Sequence, residues 1–201
     1  MNIQFPDLLR PFFGKLLWRK NPSERVIYLT FDDGPVPEVT PLVLDLLDEY
    51  NLKATFFCVG ENVEKHPEIY NEILKRGHKT GNHTFNHLKG VTVSTHEYVS
   101  NVQKAAKNID SNLFRPPYGR ISYQQKKALR GKYEIVMWDL ITHDYNKNLS
   151  PEAVLQNIKR FSRNGSLVVF HDSIKAERNM LAVLPMAIEY WNSKGYRFKV
   201  L

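Results

Sequence analysis

"YLTFDDGP", Tyr28 to Pro35, ends an apolar run in two adjacent carboxylates, a glycine and a proline. The run leading into it, Arg25 to Phe31, is rich in β-branched and aromatic residues and reads as a buried strand. Asp32 and Asp33 therefore stand where that strand stops. Two like charges this close repel, and burial raises the cost unless something positive sits between them. Asp-Gly-Pro is also ordinary turn chemistry. The residues at the ends of the other strands decide between a turn and a site.

Beyond this stretch, strands and helices alternate. Thr40 and Pro41 read as the N-cap and first turn of a helix carrying Val43, Leu46, Leu47 and Tyr50. "KATFFCVG" (53–60) is a second strand, and "NVEKHPEIYNEILKRG" (62–77) a helical pattern closed by Gly77. "HKTGNH" (78–83) is a short third strand into a turn, and 94–109 a helix. "LFRPPYG" (113–119) is a strand into a loop, 122–131 a helix, and "YEIVMWDL" (133–140) the next strand. Ser150 caps a helix with Pro151 at its first position. "SLVVFHD" (166–172) is a strand, 177–195 a helix with Pro185 inside it, and "YRFKVL" (196–201) a last strand. About seven β-then-α units with no internal linker predict a mostly parallel sheet. A closed barrel or an open doubly wound sheet satisfies the alternation equally. In both, ligands gather at the carboxyl ends of the strands.

Composition bounds the reading. The 201 residues suit one domain with a full core, and 42% hydrophobic with 24% charged residues is ordinary for a globular chain. A net charge of +7 favours an anionic partner such as nucleic acid, an acidic wall polymer or a membrane surface. No dense Lys/Arg block interleaved with aromatics appears, so nucleic acid is not expected. The single Cys58 excludes an intramolecular disulfide, and its apolar setting predicts a buried, inert thiol. No apolar run is long enough to span a bilayer. In "LLRPFFGKLLWRK", Leu8, Leu9, Phe12, Phe13, Leu16 and Leu17 alternate with Arg10, Lys15, Arg19 and Lys20 without the ordering of a signal peptide. Peripheral membrane contact is one reading of this basic amphipathic stretch. Packing against the bottom of the domain is preferred, since Pro11 and Gly14 weaken a long helix. The expected location is cytoplasmic or peripheral to the envelope, and the expected state a monomer.

The strand ends are rich in chemistry. Asp32-Asp33 close the first strand, His83 and His87 come after the third, and Arg115 and Tyr118 after the fourth. Asp139, His143, Asp144 and Tyr145 come after the fifth, and His171-Asp172 after the sixth. His83 and His87 are four apart, so on a helical turn both rings face one way and can share a metal. A carboxylate from the first strand's end completes a two-histidine, one-carboxylate site with open positions. The metal neutralises one aspartate and leaves the other as a base.

With these residues assembled, the chain resembles the polysaccharide deacetylases from about Arg25 to Leu201. "TFDDG", "HTFNH" and "RPPYG" match that family's motifs fully. "LVVFH" has a valine where leucine is usual, and Asp144-Tyr145 replaces the usual Asp-Trp pair. The resemblance implies a distorted (β/α) barrel of about seven parallel strands, with residues 25–201 as catalytic domain and 1–24 as an extension packed on or near it. It implies hydrolysis of acetyl groups from an N-acetylated glycan, such as a cell-wall polymer or chitin-like oligomer. Asp33, His83 and His87 would hold one divalent ion, zinc by default, with cobalt, nickel or iron as alternatives. Asp32 would be the general base, paired with Arg115, and the backbone N–H of Tyr118 would meet the oxyanion. His171 would be the general acid, oriented by Asp144. Leu167, Val169 and Tyr145 would line the acetyl pocket, although core packing explains them equally.

Other candidates carry less. His66, His78 and His96 read as surface residues, His143 as bordering the cleft, and Asp172 as a cap on the next segment. Competing functions are an O-acetyl esterase on a polysaccharide and a sugar-binding relative without catalysis. A non-haem iron enzyme also uses two histidines and a carboxylate. Retention of His171 favours the amide, because an amine leaves less readily than an alkoxide. Retention of every candidate ligand and base argues against a binding-only relative.

Overall fold

The computed structural model describes residues 3–201. Seven parallel strands run in the spatial order β5-β4-β3-β2-β1-β7-β6 and curl into a half-barrel with helices around it. At its centre is β1, Val26–Asp32, whose every residue is buried. It pairs with β2 (Thr55–Cys58) on one side and β7 (Ser166–His171) on the other. From β2 the sheet continues to β3 (Lys79–Asn82), β4 (Leu113–Phe114) and β5 (Glu134–Ile135). On the far side β7 pairs with β6 (Leu140–Ile141). The short β8, Arg197–Phe198, pairs only with the start of β1.

Strand alternation sorts the core into two layers. Ile27, Leu29 and Phe31 face outward and pack with Leu44, Leu47, Val183 and Ile188 of the surrounding helices. These belong to α1 (Thr40–Glu49) and α7 (Glu177–Ser193). Val26 and Tyr28 face inward with Phe57, Leu113 and Leu167. The next inward positions of β1 are Thr30 and Asp32, both buried. Asp32 thus caps an apolar stack inside the half-barrel.

Three sequence expectations are corrected. The helix expected over 62–77 is two, α2 (Gly60–Lys65) and α3 (Pro67–Lys75). Pro67 has no N–H to donate and disfavours helical backbone at His66, which lies at φ −132°, ψ 57°. The strand expected over 133–140 is also two, β5 and β6, at opposite edges of the sheet. Residues 136–139 cross the seam between them. Thr40 is the first residue of α1 rather than its cap. Elsewhere local chemistry acts as expected: Ser150 caps α6 (Pro151–Phe161) by accepting from the Ala153 N–H.

The amino-terminal residues run along the open seam instead of lying beneath the barrel. Leu17 bridges to Val136 beside β5, Arg19 bridges to Ser166 of β7, and Ile141 of β6 donates to the Ile3 carbonyl. Backbone groups that a sheet edge leaves unpaired are thereby satisfied. Asp139, fully buried, receives hydrogen bonds from Arg10, Arg163 and Ser166. Burial pushes its carboxyl up, but Arg163, Arg10 and Ser166 outweigh that and hold it below the usual range. Leu8 and Phe12 stay exposed on a 3₁₀ helix, Asp7–Phe13. No helix among the described residues is long and apolar enough to cross a membrane.

Candidate active site

The turn after β1, the loop after β3, the loop after β4 and the ends of β6 and β7 meet at one end of the half-barrel. Asp32 is 4% exposed, and Arg115, wholly buried, donates to its Oδ1. Arg115 also donates to Thr30 Oγ1 at 2.8 Å and to the Met137 carbonyl at 3.0 Å. Its guanidinium lies 4.0 Å from the Phe57 ring centroid. Burial pushes the Asp32 carboxyl up, but Arg115, with His83 and His171, outweighs it and holds the group below the usual carboxylate range. A carboxylate so held remains ionised at neutral pH.

Asp33, His83 and His87 form the one cluster of three such donors among the described residues, with all donor atoms within 4.8 Å of one another. Asp33 Oδ1 lies 3.4 Å from His87 Nε2 and 3.9 Å from His83 Nε2. Ligands about 2.0–2.2 Å from a tetrahedral ion stand a little over 3 Å apart, so a small contraction brings these three to coordinating geometry. The other ring nitrogens are already engaged. His83 Nδ1 is 2.7 Å from the Arg115 carbonyl, and His87 Nδ1 is 3.2 Å from the Tyr118 hydroxyl. A carbonyl can only accept, so the His83 partner puts the proton on Nδ1 and leaves its Nε2 free to bind a metal. Burial pushes His83 down to about 4, so it is neutral and able to ligate at pH 7. The donor set fits a divalent metal.

The two histidines converge by a different route from the one expected. No helix spans 83–87. The segment is a loop with left-handed backbone at Thr84 (φ 65°) and His87 (φ 56°). Asn82 Oδ1 accepts from the Thr84 N–H, and Thr84 Oγ1 accepts from the Leu88 N–H, closing the loop on itself. Asp33 (φ 90°) and Tyr118 (φ 60°) also adopt this costly region. Strained non-glycine backbone at these positions marks a site over-determined by its surroundings.

Asp144 and His171 form the second charged pair. Asp144 Oδ1 lies 2.7 Å from His171 Nδ1, and its Oδ2 accepts from the His171 backbone N–H at 2.8 Å. Burial pulls the imidazole down, but the Asp144 charge and hydrogen bond, with Asp33 and Asp32, raise it to about 9. The ring is therefore protonated at neutral pH. Tyr145 packs edge-on against it, with ring centroids 4.8 Å apart. The Tyr145 hydroxyl is 2.8 Å from Nδ1 of His143, which is buried instead of bordering the cleft in the open. The backbone N–H of Tyr118 donates no hydrogen bond among those of the described residues.

Of the residues expected to line an acetyl pocket, Tyr145 contacts His171 and Val169 lies two residues before it on the same inward face. Leu167 is in register with Tyr28 and packs in the apolar layer below, away from the metal donors. His78 is buried, not on the surface: its Nδ1 accepts from the Ala54 N–H, and burial lowers it to about 4. Asp172 does not cap the segment after it. It reaches back to accept from the Gly34 N–H at 3.0 Å and the Thr40 hydroxyl at 2.7 Å, holding the turn that carries Asp33. Burial pushes its carboxyl up to about 8. Asn179 of α7 donates to the carbonyls of Asp144, Asn146 and Leu149 and staples the loop bearing Asp144. Thr30 shares a face with Asp32 by alternation and was legible in principle. Nothing local in the sequence announces Asn179.

Comparison with known proteins agrees with this geometry. The family profile described as Polysaccharide deacetylase matches residues 19–133. A peptidoglycan-N-acetylglucosamine deacetylase of Bacillus cereus is 33% identical over 192 residues, covering 92% of this chain and 90% of that protein. A second Bacillus cereus protein of that name is 36% identical over 87% of this chain, which spans 66% of its length. A crystal structure of a peptidoglycan N-acetylglucosamine deacetylase in complex with 4-naphthalen-1-yl-N-oxidanyl-benzamide superposes with a TM-score of 0.90 at 32% identity, covering 98% of this chain and 95% of that one.

Proposed function

The chain belongs to the polysaccharide deacetylase family, and we propose that it is a metal-dependent hydrolase releasing acetate from N-acetylglucosamine units of a cell-wall glycan. The observation that carries this reading is the meeting of an ionised, Arg-held carboxylate, a three-donor metal cluster and a charged His–Asp pair at one end of the half-barrel. Amide hydrolysis needs a base for the incoming water and an acid for the departing amine, and these groups supply both.

In this reading Asp33, His83 and His87 would hold one divalent ion. Two imidazoles and one carboxylate with open positions suit zinc. When bound, such an ion would supply Lewis-acid polarisation of the acetyl carbonyl and would acidify the attacking water. Asp32 takes the proton from that water, and Arg115 keeps the carboxylate oriented towards it. The Tyr118 N–H donates to the oxygen that becomes negative as the carbonyl is attacked. His171 gives its proton to the sugar nitrogen as the C–N bond breaks, leaving acetate and a free amine. Asp144 holds the imidazole in the tautomer and charge state that step requires.

The state of His171 favours amide over ester. An acid that stays charged at neutral pH assists an amine leaving group, which departs poorly unprotonated, more than an alkoxide. The test is acetate release from N-acetylglucosamine oligomers by protein stripped of metal and reloaded singly with zinc, cobalt or nickel. Release that depends on the metal supports the reading. Release equally fast from the stripped protein, or none with any metal, overturns it.

A further inference from the structure

A cavity of about 590 Å³ opens between the loop after β6 and the amino-terminal end of α7. Three cations line it, Lys147, Lys175 and Arg178, against one carboxylate, Glu177. All three cations are exposed, and none forms an ion pair with a described residue. Two other arginines are already committed to carboxylates. Arg76 is spent on Asp45, Asp48 and Glu72, and Arg163 on Asp7 and Asp139. Glu152 feels the charge of Arg178 but does not pair with it.

Lys175 links the cavity to the proposed site through Tyr145. The Lys175 ammonium lies 5.3 Å from the Tyr145 ring centroid, and that ring packs 4.8 Å from the His171 ring. The lining is also built on a held loop. Asn179, 4% exposed, lies in the cavity wall and staples the carbonyls of Asp144, Asn146 and Leu149. Lys147 sits within that stapled loop, one residue from Asn146. The same side chain that positions Asp144 thus fixes where Lys147 starts from, which reduces the ordering cost of binding there.

We propose that this cavity is a subsite for an anionic substituent, carboxylate or phosphate, on the sugar next to the one that is deacetylated. The inference rests on the deacetylase reading of the site and adds to it a class of substrate: an acidic glycan in preference to a neutral one. The glycan's acetylated sugar sits at Asp32 and His171, and its neighbour passes Tyr145 into the field of the three cations. The Arg178 fork pairs with either anion, and Lys147 and Lys175 act as point charges. Each such exposed contact is modest, and together they give a preference of roughly 10-fold, expressed in KM.

The experiment compares one N-acetylglucosamine tetramer in three forms: neutral, carrying carboxymethyl ethers, and carrying phosphate monoesters. The ratio of kcat/KM on each anionic form to that on the neutral form is measured at low salt and at high salt. A ratio of roughly 10 that falls as salt screens the charges supports the subsite, and the better anion identifies its source. In Lys175→Gln/Arg178→Gln the ratio should drop to about 1, and in Lys175→Glu/Arg178→Glu it should invert. A ratio of about 1 in the unaltered protein, or one untouched by these changes, overturns the proposal. Calorimetric binding of the three tetramers gives the same comparison without turnover. Absence of acetate from every tetramer would therefore defeat the deacetylase reading, while the binding ratio still decides the subsite.

Discussion

Asp32 and His171 are register partners on adjacent parallel strands, the last residues of β1 and β7. A parallel ladder places register partners about one strand spacing apart, roughly 4.8 Å, with side chains on the same face. The proposed base and the proposed acid are therefore held at fixed separation by backbone hydrogen bonds, not by a flexible loop. Each carries its own opposite charge, Arg115 for Asp32 and Asp144 for His171. The pairing keeps one ionised and the other protonated over the same pH range.

That pairing sets the pH profile. His171 is raised to about 9, so the acid form persists through neutrality and kcat should decline as pH passes about 9. Asp144→Asn removes the negative charge, lowers the imidazole pKa, and should move the alkaline limb to lower pH. The same shift stabilises the fold: the contribution is complete below the unfolded value near 6.5 and is lost as pH rises through about 9. Rate profiles and thermal unfolding of both proteins between roughly pH 6 and pH 10 check this, and an unmoved limb in the variant refutes the role of Asp144.

The adjacent aspartates should separate by function. Asp32→Asn should keep metal and lose about 10²–10⁴-fold in kcat, because the amide takes no proton. Asp33→Asn should lose metal occupancy first. Elemental analysis beside acetate release distinguishes the two, and a reversed pattern means the roles are exchanged.

Gly34 has no room for a side chain. A Cβ there would meet Asp172 Oδ2 at 1.9 Å and Cγ at 2.6 Å. Gly34→Ala should destabilise by about 1–3 kcal/mol, the usual range for overpacking. Gly34→Ala/Asp172→Ala should be less destabilised than the sum of its parts, since the second change removes the clash. Strict additivity in urea titrations would show that the turn does not rest on this contact.

Asp139 should act as the anchor of the amino-terminal segment. Asp139→Asn leaves Arg10 and Arg163 without the buried carboxylate both address and should cost about 3 kcal/mol. Because the native carboxyl is held below its ordinary value, this stability is present above about pH 4 and fades as pH falls further. Loss of equal size at neutral pH and at strongly acid pH would contradict the ionic origin. Limited proteolysis near Arg10 should accelerate in the variant.

Much of this was written locally. Strands with β-branched and aromatic residues, the cap at Ser150, and the residue types after each strand are short-range features, and the structure keeps them. The parallel α/β order and the set of residues at the strand ends were legible from the chain, because alternation and spacing act within one element. The chain misled where partners decide. "YEIVMWDL" has the period of one strand, but its two halves pair with β4 and β7 at opposite sheet edges. His83 and His87 have helical spacing, yet their convergence comes from left-handed backbone held by Asn82 and Thr84. Asp172 and Asn179 act only across long separations, on Gly34 and on the Asp144 loop. These features emerge only when the elements pack together, because hydrogen-bond register and burial, which set both separation and charge state, belong to pairs of elements and not to any one segment.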